Sequence, residues 1–233
     1  DPAAAPQRPS NLTVWQRPPG MGIPVGTHPE DIAPTPRPIA LEVIYRLHPI
    51  HGCPTKVSSQ PLEEDVADWG HGLIGVPDAW KKATGKGVKV AVLDTGGDHE
   101  HRDLKGQILV SKDFTGSRSG PSDVNGHGTH CAGIILAAKN STGMVGVAPD
   151  AKLIIGKVLG DSGSGGSNGI AKGIDWAVEQ GADVISMSLG GPSPDDLTRD
   201  AIRRAVAKGV IVVCAACNDG PRDHGTHFVL WRL

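Results

Sequence analysis

No run of 18 apolar residues occurs in the 233-residue sequence, which excludes a membrane-spanning helix. Nor does one sign of charge dominate. Against 23 Lys and Arg stand 25 Asp and Glu, a net charge of −2, so nothing favours a nucleic-acid binder that relies on a basic surface. Four cysteines in this length do not make a disulfide scaffold. There is no initiating Met, and no basic stretch leads into an apolar one. The sequence opens at Asp1, so either a targeting segment has been removed or the sequence begins late. The size suits one ordinary domain, or one domain plus an extension.

What is present is unevenly distributed. Thirteen of the 19 prolines lie in residues 1–61, whereas the glycines concentrate after residue 70. Residues 1–38 read as an extended arm, with Pro18-Pro19 and the Pro34, Pro36, Pro38 spacing favouring polyproline-like backbone. An apolar run from Ile39 to Leu47 reads as a short strand with no local partner. The expected organisation is an extension or pro-segment remnant over 1–61, a domain over 62–220, and a tail over 221–233.

Within the domain, strands alternate with helices. Val76 to Ala83 is expected to be a short helix stopped by Gly85 and Gly87. Val88 to Leu93 is a β-branched apolar run, a buried strand that ends at Asp94. Ala151 to Val158 is a second strand, Asp183 to Ser188 a third and Val210 to Ala215 a fourth. Helices are expected over Ala132 to Ala138, over Asn168 to Gln180, and over Asp196 to Lys208. The second of these turns Ile170, Ile174, Ala177 and Val178 to one stripe, and the third turns Ile202, Ala205 and Val206 inward. This alternation predicts an α/β fold, a parallel sheet with helices on both faces. Chemistry in such sheets gathers at the carboxyl ends of strands, where Asp94, Ser188 to Gly190, and Asn218 all fall.

Asp94 precedes Thr95-Gly96-Gly97, and an Asp before glycine is also an ordinary turn residue. His127 lies in Asn125-Gly126-His127-Gly128-Thr129-His130-Cys131-Ala132-Gly133. His127 and His130 stand at i and i+3, a spacing open to a metal pair, but the Glu of a zinc-protease helix is missing between them. Asp94 and His127 together suggest the orienting carboxylate and general base of a Ser-His-Asp system. Asn218 is placed to donate a side-chain N–H to an oxyanion.

Five blocks then resemble the subtilisin-like serine proteases, in the family's order. Val90 to Gly96 resembles the Asp block and His127 to Gly133 the His block. Val145-Gly146-Val147-Ala148-Pro149 also fits. Ile185 to Gly191 resembles the strand lining the substrate cleft, and Ala215-Ala216-Cys217-Asn218-Asp219-Gly220 the oxyanion-hole block. The resemblance implies that Asp94 orients His127, that His127 carries the proton, and that Asn218 stabilises the oxyanion. It implies polypeptide substrates held by Ser188, Leu189 and Gly190 against Gly163, Ser164 and Gly165, with Ala215 and Ala216 as a pocket wall. It implies a structural calcium on Asp103, Asn140 and the carbonyls of Ala138, Thr142 and Met144. A secreted monomer, with no nucleic-acid or membrane partner, completes the expectation.

Two features depart from the pattern. No Gly-Thr-Ser-Met-Ala type block carrying the nucleophile follows Asn218, after which only 15 residues remain, and Gly225-Thr226-His227 has His where Ser belongs. The 233 residues are therefore expected to be the N-terminal part of such a catalytic domain, inactive as they stand. The alternative is a non-catalytic relative that binds peptides or an intact protease. Cys217 stands where the family has Gly. Cys214, Cys217, His224 and His227 would supply four zinc ligands at an unfamiliar spacing, and two small buried residues at a strand end is the plainer reading.

Overall fold

The computed structural model describes residues 44–47, 65–67, 69–191 and 194–215. The Pro-rich arm, Ala216, Cys217, Asn218, His224 and His227 lie outside the described residues.

In chain order the elements are β1 (Ile44–Leu47), β2 (Asp65–Val66), α1 (Trp69–Leu73), α2 (Val76–Trp80), β3 (Lys89–Asp94) and β4 (Ile108–Asp113). Then come α3 (His127–Leu136), β5 (Gly143–Met144), β6 (Lys152–Lys157), β7 (Ser164–Gly166) and α4 (Ser167–Glu179). The last are β8 (Val184–Met187), β9 (Leu189–Gly190), α5 (Asp196–Ala207) and β10 (Ile211–Cys214). Five strands form one sheet in the order β10-β8-β3-β6-β4, every pair parallel. The expected α/β architecture is the one observed.

Alternation along β3 explains the layering. Ala91 and Leu93 pack into one apolar cluster with Ile170 and Ile174 of α4 and with Ala201, Ile202 and Ala205 of α5. Val90 and Val92 point the other way, into a cluster with Cys131, Ala132 and Leu136 of α3. A strand buried on both faces needs apolar residues at every position, hence the continuous run. Gly181 and Gly209 end the two helices of the first layer at φ 77° and 80°, the left-handed conformation that favours glycine.

Three sequence expectations are corrected. Helix α3 begins at His127, not at Ala132, and ends at Leu136. The glycines that weaken its propensity are required by packing: a Cβ on Gly128 would lie 2.2 Å from the Gly96 carbonyl oxygen. Val206 is 55% exposed, and Ala201 takes the inward place instead, one turn before Ala205. Strand β4 was not anticipated; only partly apolar, it forms the edge of the sheet beside β6.

Candidate active site

The register of the sheet builds the site. Asp94 pairs with Lys157, and Val92 pairs with Ser186, so Asp94 and the β8–β9 junction at Ser188 stand at the same carboxyl edge. Asp94, the last residue of β3, is 1% exposed. Its Oδ1 accepts from the Thr95 amide at 2.7 Å and from His127 Nδ1 at 2.7 Å. This leaves Nε2 as the imidazole nitrogen that can exchange a proton with a reacting group. Burial pulls the His127 pKa down, but the Asp94 hydrogen bond, the contact with Cys131 and their charges outweigh it, and the group is pushed up to about 10. Cys131 Sγ lies 3.8 Å from Nδ1, one helical turn along α3. The ligand-capable atoms of Asp94, His127 and Cys131 all lie within 4.8 Å of one another. Because Asp94 and His127 already bond to each other, the cluster reads as a dyad with a neighbouring thiol.

Around this dyad stand residues that sequence reasoning missed. The Thr95 hydroxyl donates to Asp123 at 2.8 Å and accepts the Gly128 amide at 2.9 Å. Asp123 is held below the ordinary carboxylate pKa: burial works against this, and hydrogen bonds from Thr129, Gly126 and Thr95 overcome it. Lys157 is fully buried, with Nζ bonded to the Thr95 carbonyl (2.8 Å), the Ser122 carbonyl (2.8 Å) and Asp161 (2.7 Å). Asp161, pulled down to about 2 by Lys157, Ser119 and Ser117, lies in the loop between β6 and β7. In the sequence, Asp123 before Val-Asn-Gly reads as a turn, and Lys157 as a strand residue at an exposed end. Neither carries a local signal of its role.

The expected cleft residues come together with an occupant. Ser164 to Gly166 and Leu189-Gly190 are two strand edges, and β1 runs antiparallel between them. Arg46 pairs with both Ser164 and Gly190, Tyr45 with Gly165, and Leu47 with Leu189. The strand expected near residues 39–47 therefore does have partners, more than 100 residues downstream. Gly163 precedes β7 and Ser188 joins β8 to β9. Half-buried Ala215 donates its amide to Met187 at 3.1 Å. Asn218 and Ala216 fall outside the described residues.

Two of the expected calcium ligands, Asp103 and Asn140, are in contact. Asn140 Nδ2 donates to Asp103 Oδ1 at 2.9 Å, and the Asn140 amide donates to Asp65 Oδ1 at 3.1 Å. Asp65 is a further carboxylate that the sequence reading did not include. It arrives because β2 pairs in parallel with β5, setting Asp65 beside Gly143 and Val66 beside Met144. Asp103 is 6% exposed, and Arg102 Nε lies 3.6 Å from it. Thr142 bonds back to Asn140, and the Ala138 amide bonds to the Asp103 carbonyl. Asp65, Asp103 and Asn140 thus bring oxygen-bearing side chains from three chain segments to one loop, the residue chemistry a hard cation takes.

Among the described residues, no helix is long and apolar enough to cross a membrane. The family model of the subtilases, peptidase family S8, matches residues 85–229, running nine residues past the 220 boundary read from the sequence. An intracellular serine protease of Paenibacillus polymyxa is 45% identical over 181 residues, 76% of this chain and 56% of that protein. The major intracellular serine protease of Bacillus subtilis is 48% identical over 179 residues, 74% and 56% of the two chains. Thermitase of Thermoactinomyces vulgaris is 46% identical over 153 residues, 65% and 55%. The chain spans about half the length of the curated relatives it matches. The names of the first two give no support to the expected secretion. With the family model covering more than half of the chain and the Asp94–His127 pair at its carboxyl edge, the chain belongs to the subtilase family of serine proteases.

Proposed function

We propose that these residues form the acid–base half and the peptide cleft of a serine endopeptidase. The observation that carries this reading is the 2.7 Å Asp94–His127 bond, set beside two strand edges that hold an extended segment. In this reading Asp94 fixes the Nδ1–H tautomer. Nε2 takes the proton of a nucleophilic serine and returns it to the leaving amine. Asn218 donates to the oxyanion. A polypeptide substrate lies as the middle strand between β7 and β9, and β1 must leave for it to bind. The 233 residues contain no serine in a family-type block, so by themselves they are expected not to hydrolyse peptides. The relatives named intracellular favour a cellular rather than secreted setting.

The test is a chimera that appends the Ser-bearing remainder of the Bacillus subtilis relative. Fluorophosphonate should label that serine stoichiometrically, and His127→Ala should abolish the labelling. Labelling of any serine in the 233 residues alone, or labelling of a folded chimera without need of His127, would refute the reading.

Calcium belongs to the same proposal as a structural group, held by Asp65, Asp103, Asn140 and nearby carbonyls. It would pin β2 and the loop after α3 to the residues following β3. At 100 times its Kd, a ligand specific to the folded state adds about 2.7 kcal/mol, or roughly 5–10 °C of melting temperature at this size. Calcium is expected to raise the melting temperature by that order, and Asp65→Ala or Asp103→Ala to abolish the gain. An unchanged melting temperature at millimolar calcium counts against the site.

A further inference from the structure

Helix α3 begins at the residue that does the chemistry, and it begins without a conventional cap. Gly126, at the N-cap position with φ 94°, has no side chain to offer the first-turn amides. The Asp123 carboxylate supplies what is missing. Its Oδ1 accepts the amides of Asn125 (3.1 Å) and Gly126 (2.9 Å). Its Oδ2 accepts the amide (2.8 Å) and the hydroxyl (2.6 Å) of Thr129. A carboxylate that served only as a cap would stop there. This one also accepts the Thr95 hydroxyl at 2.8 Å, across to the strand that carries the catalytic carboxylate.

Thr95 makes that fifth bond consequential. Its amide and His127 Nδ1 share one oxygen of Asp94, each at 2.7 Å. Its hydroxyl, while bonded to Asp123, receives the amide of Gly128, the residue after His127. A closed ring runs from Asp94 through Thr95 and Gly128 to His127 and back, and Asp123 grips both Thr95 and the start of α3. The Asp123 amide also bonds the Gly97 carbonyl at 3.3 Å, and buried Lys157 ties the Thr95 and Ser122 carbonyls together. The dyad joins residues 33 apart in sequence, so its 2.7 Å contact depends on the relative placement of two segments. Neither the β3 strand nor the α3 helix fixes that placement alone.

We propose that Asp123 is a positioning residue: through Thr95 on one side and the first turn of α3 on the other, it sets the His127 imidazole against Asp94. The proposal rests on the reading of His127 as the general base. Its route is geometric: Asp123 reaches His127 through Thr95 and the Gly128 amide.

The experiment is nuclear magnetic resonance of the 233-residue chain carrying 15N-labelled histidine, following the Nδ1–H signal and the titration of His127. Asp123→Ala is expected to lose the low-field Nδ1–H signal and to lower the titration by about one pH unit or more, tenfold in proton affinity. Thr95→Val, which cuts the cross-link and frees the Gly128 amide but leaves the bonds of Asp123 to the start of α3 in place, should move both readouts the same way while amide exchange in α3 beyond Gly128 is unchanged. Thr129→Val, which removes the hydroxyl bond to Asp123 and the bond that hydroxyl accepts from the Asp98 amide, should speed amide exchange in α3 and leave the His127 signals alone, because the Thr95 bonds to Asp94, Asp123 and Gly128 remain. If Asp123→Ala does not fold, Thr95→Val decides. Wild-type His127 signals in Thr95→Val would overturn the proposal, and so would Thr129→Val matching Thr95→Val, because the link from Asp123 through Thr95 would then not be what places the imidazole. Absence of the low-field signal in the wild-type chain would instead overturn the dyad reading itself.

Discussion

Replacing Asp94 by Asn should drop the His127 titration from about 10 to 6.5 or below. The direction follows from the balance of causes. Burial already pulls the imidazole down, and the Asp94 hydrogen bond is the largest influence holding it up. Removing the carboxylate leaves burial opposed by the Cys131 contact alone. The same shift is a statement about stability. A histidine whose folded-state pKa lies above its ordinary 6.5 contributes stability that is fully present below 6.5 and is lost as pH rises through about 10. Urea unfolding should therefore show the parent weakening between pH 6.5 and 10, and Asp94→Asn should be flat or rising over that range. Parallel pH profiles for the two proteins would contradict the dyad as described. In the Ser-bearing chimera the consequence is larger. An imidazole held near 10 is mostly protonated at pH 7 and cannot accept a proton, so fluorophosphonate labelling should climb with pH toward 10. Asp94→Asn, which frees the ring to adopt the wrong tautomer, should slow labelling by roughly 10⁴-fold.

The parts of the molecule legible in the sequence are those with a local physical signature. Val88 to Leu93 announces a doubly buried strand because every position must be apolar, and Gly181 and Gly209 announce helix ends because φ is positive there. Asp94 and His127 were legible because each sits in a block whose small neighbours are fixed by close packing, as Gly128 is against Gly96. Thr95, Asp123, Lys157 and Asp65 were not. Each is unremarkable in its own window and gains its role from a partner 28 to 75 residues away, namely Thr95 with Asp123, Lys157 with Thr95, and Asp65 with Asn140. The start of α3 was missed for a related reason. Gly126-His127-Gly128 has poor helix propensity, and the carboxylate that caps it comes from outside the helix. Tertiary hydrogen bonds, invisible to periodicity, decide all of these.

Deleting residues 44–47 should raise the affinity of the cleft for an extended peptide by tenfold or more. A synthetic peptide spanning residues 42–49 is the natural probe, because Ile44–Leu47 within it pair with both walls. In the intact chain that peptide competes with β1, which is tethered to the domain and so present at an effective concentration in the millimolar range. Any peptide that binds more weakly than this is largely excluded, and the excluded share is the factor recovered on deletion. Backbone pairing ties β1 to both walls, and Arg46 meets Ser164 on one side and Gly190 on the other. Arg46→Pro tests this with one residue. It removes a main-chain donor from the middle strand and should loosen β1 without altering either wall. Fluorescence anisotropy of the labelled peptide should report tighter binding to both variants than to the parent. Equal affinity across all three would mean that β1 does not contest the cleft. Weaker binding to the deletion variant would mean that β1 builds the site instead of blocking it, as a permanent third strand on which β7 and β9 depend.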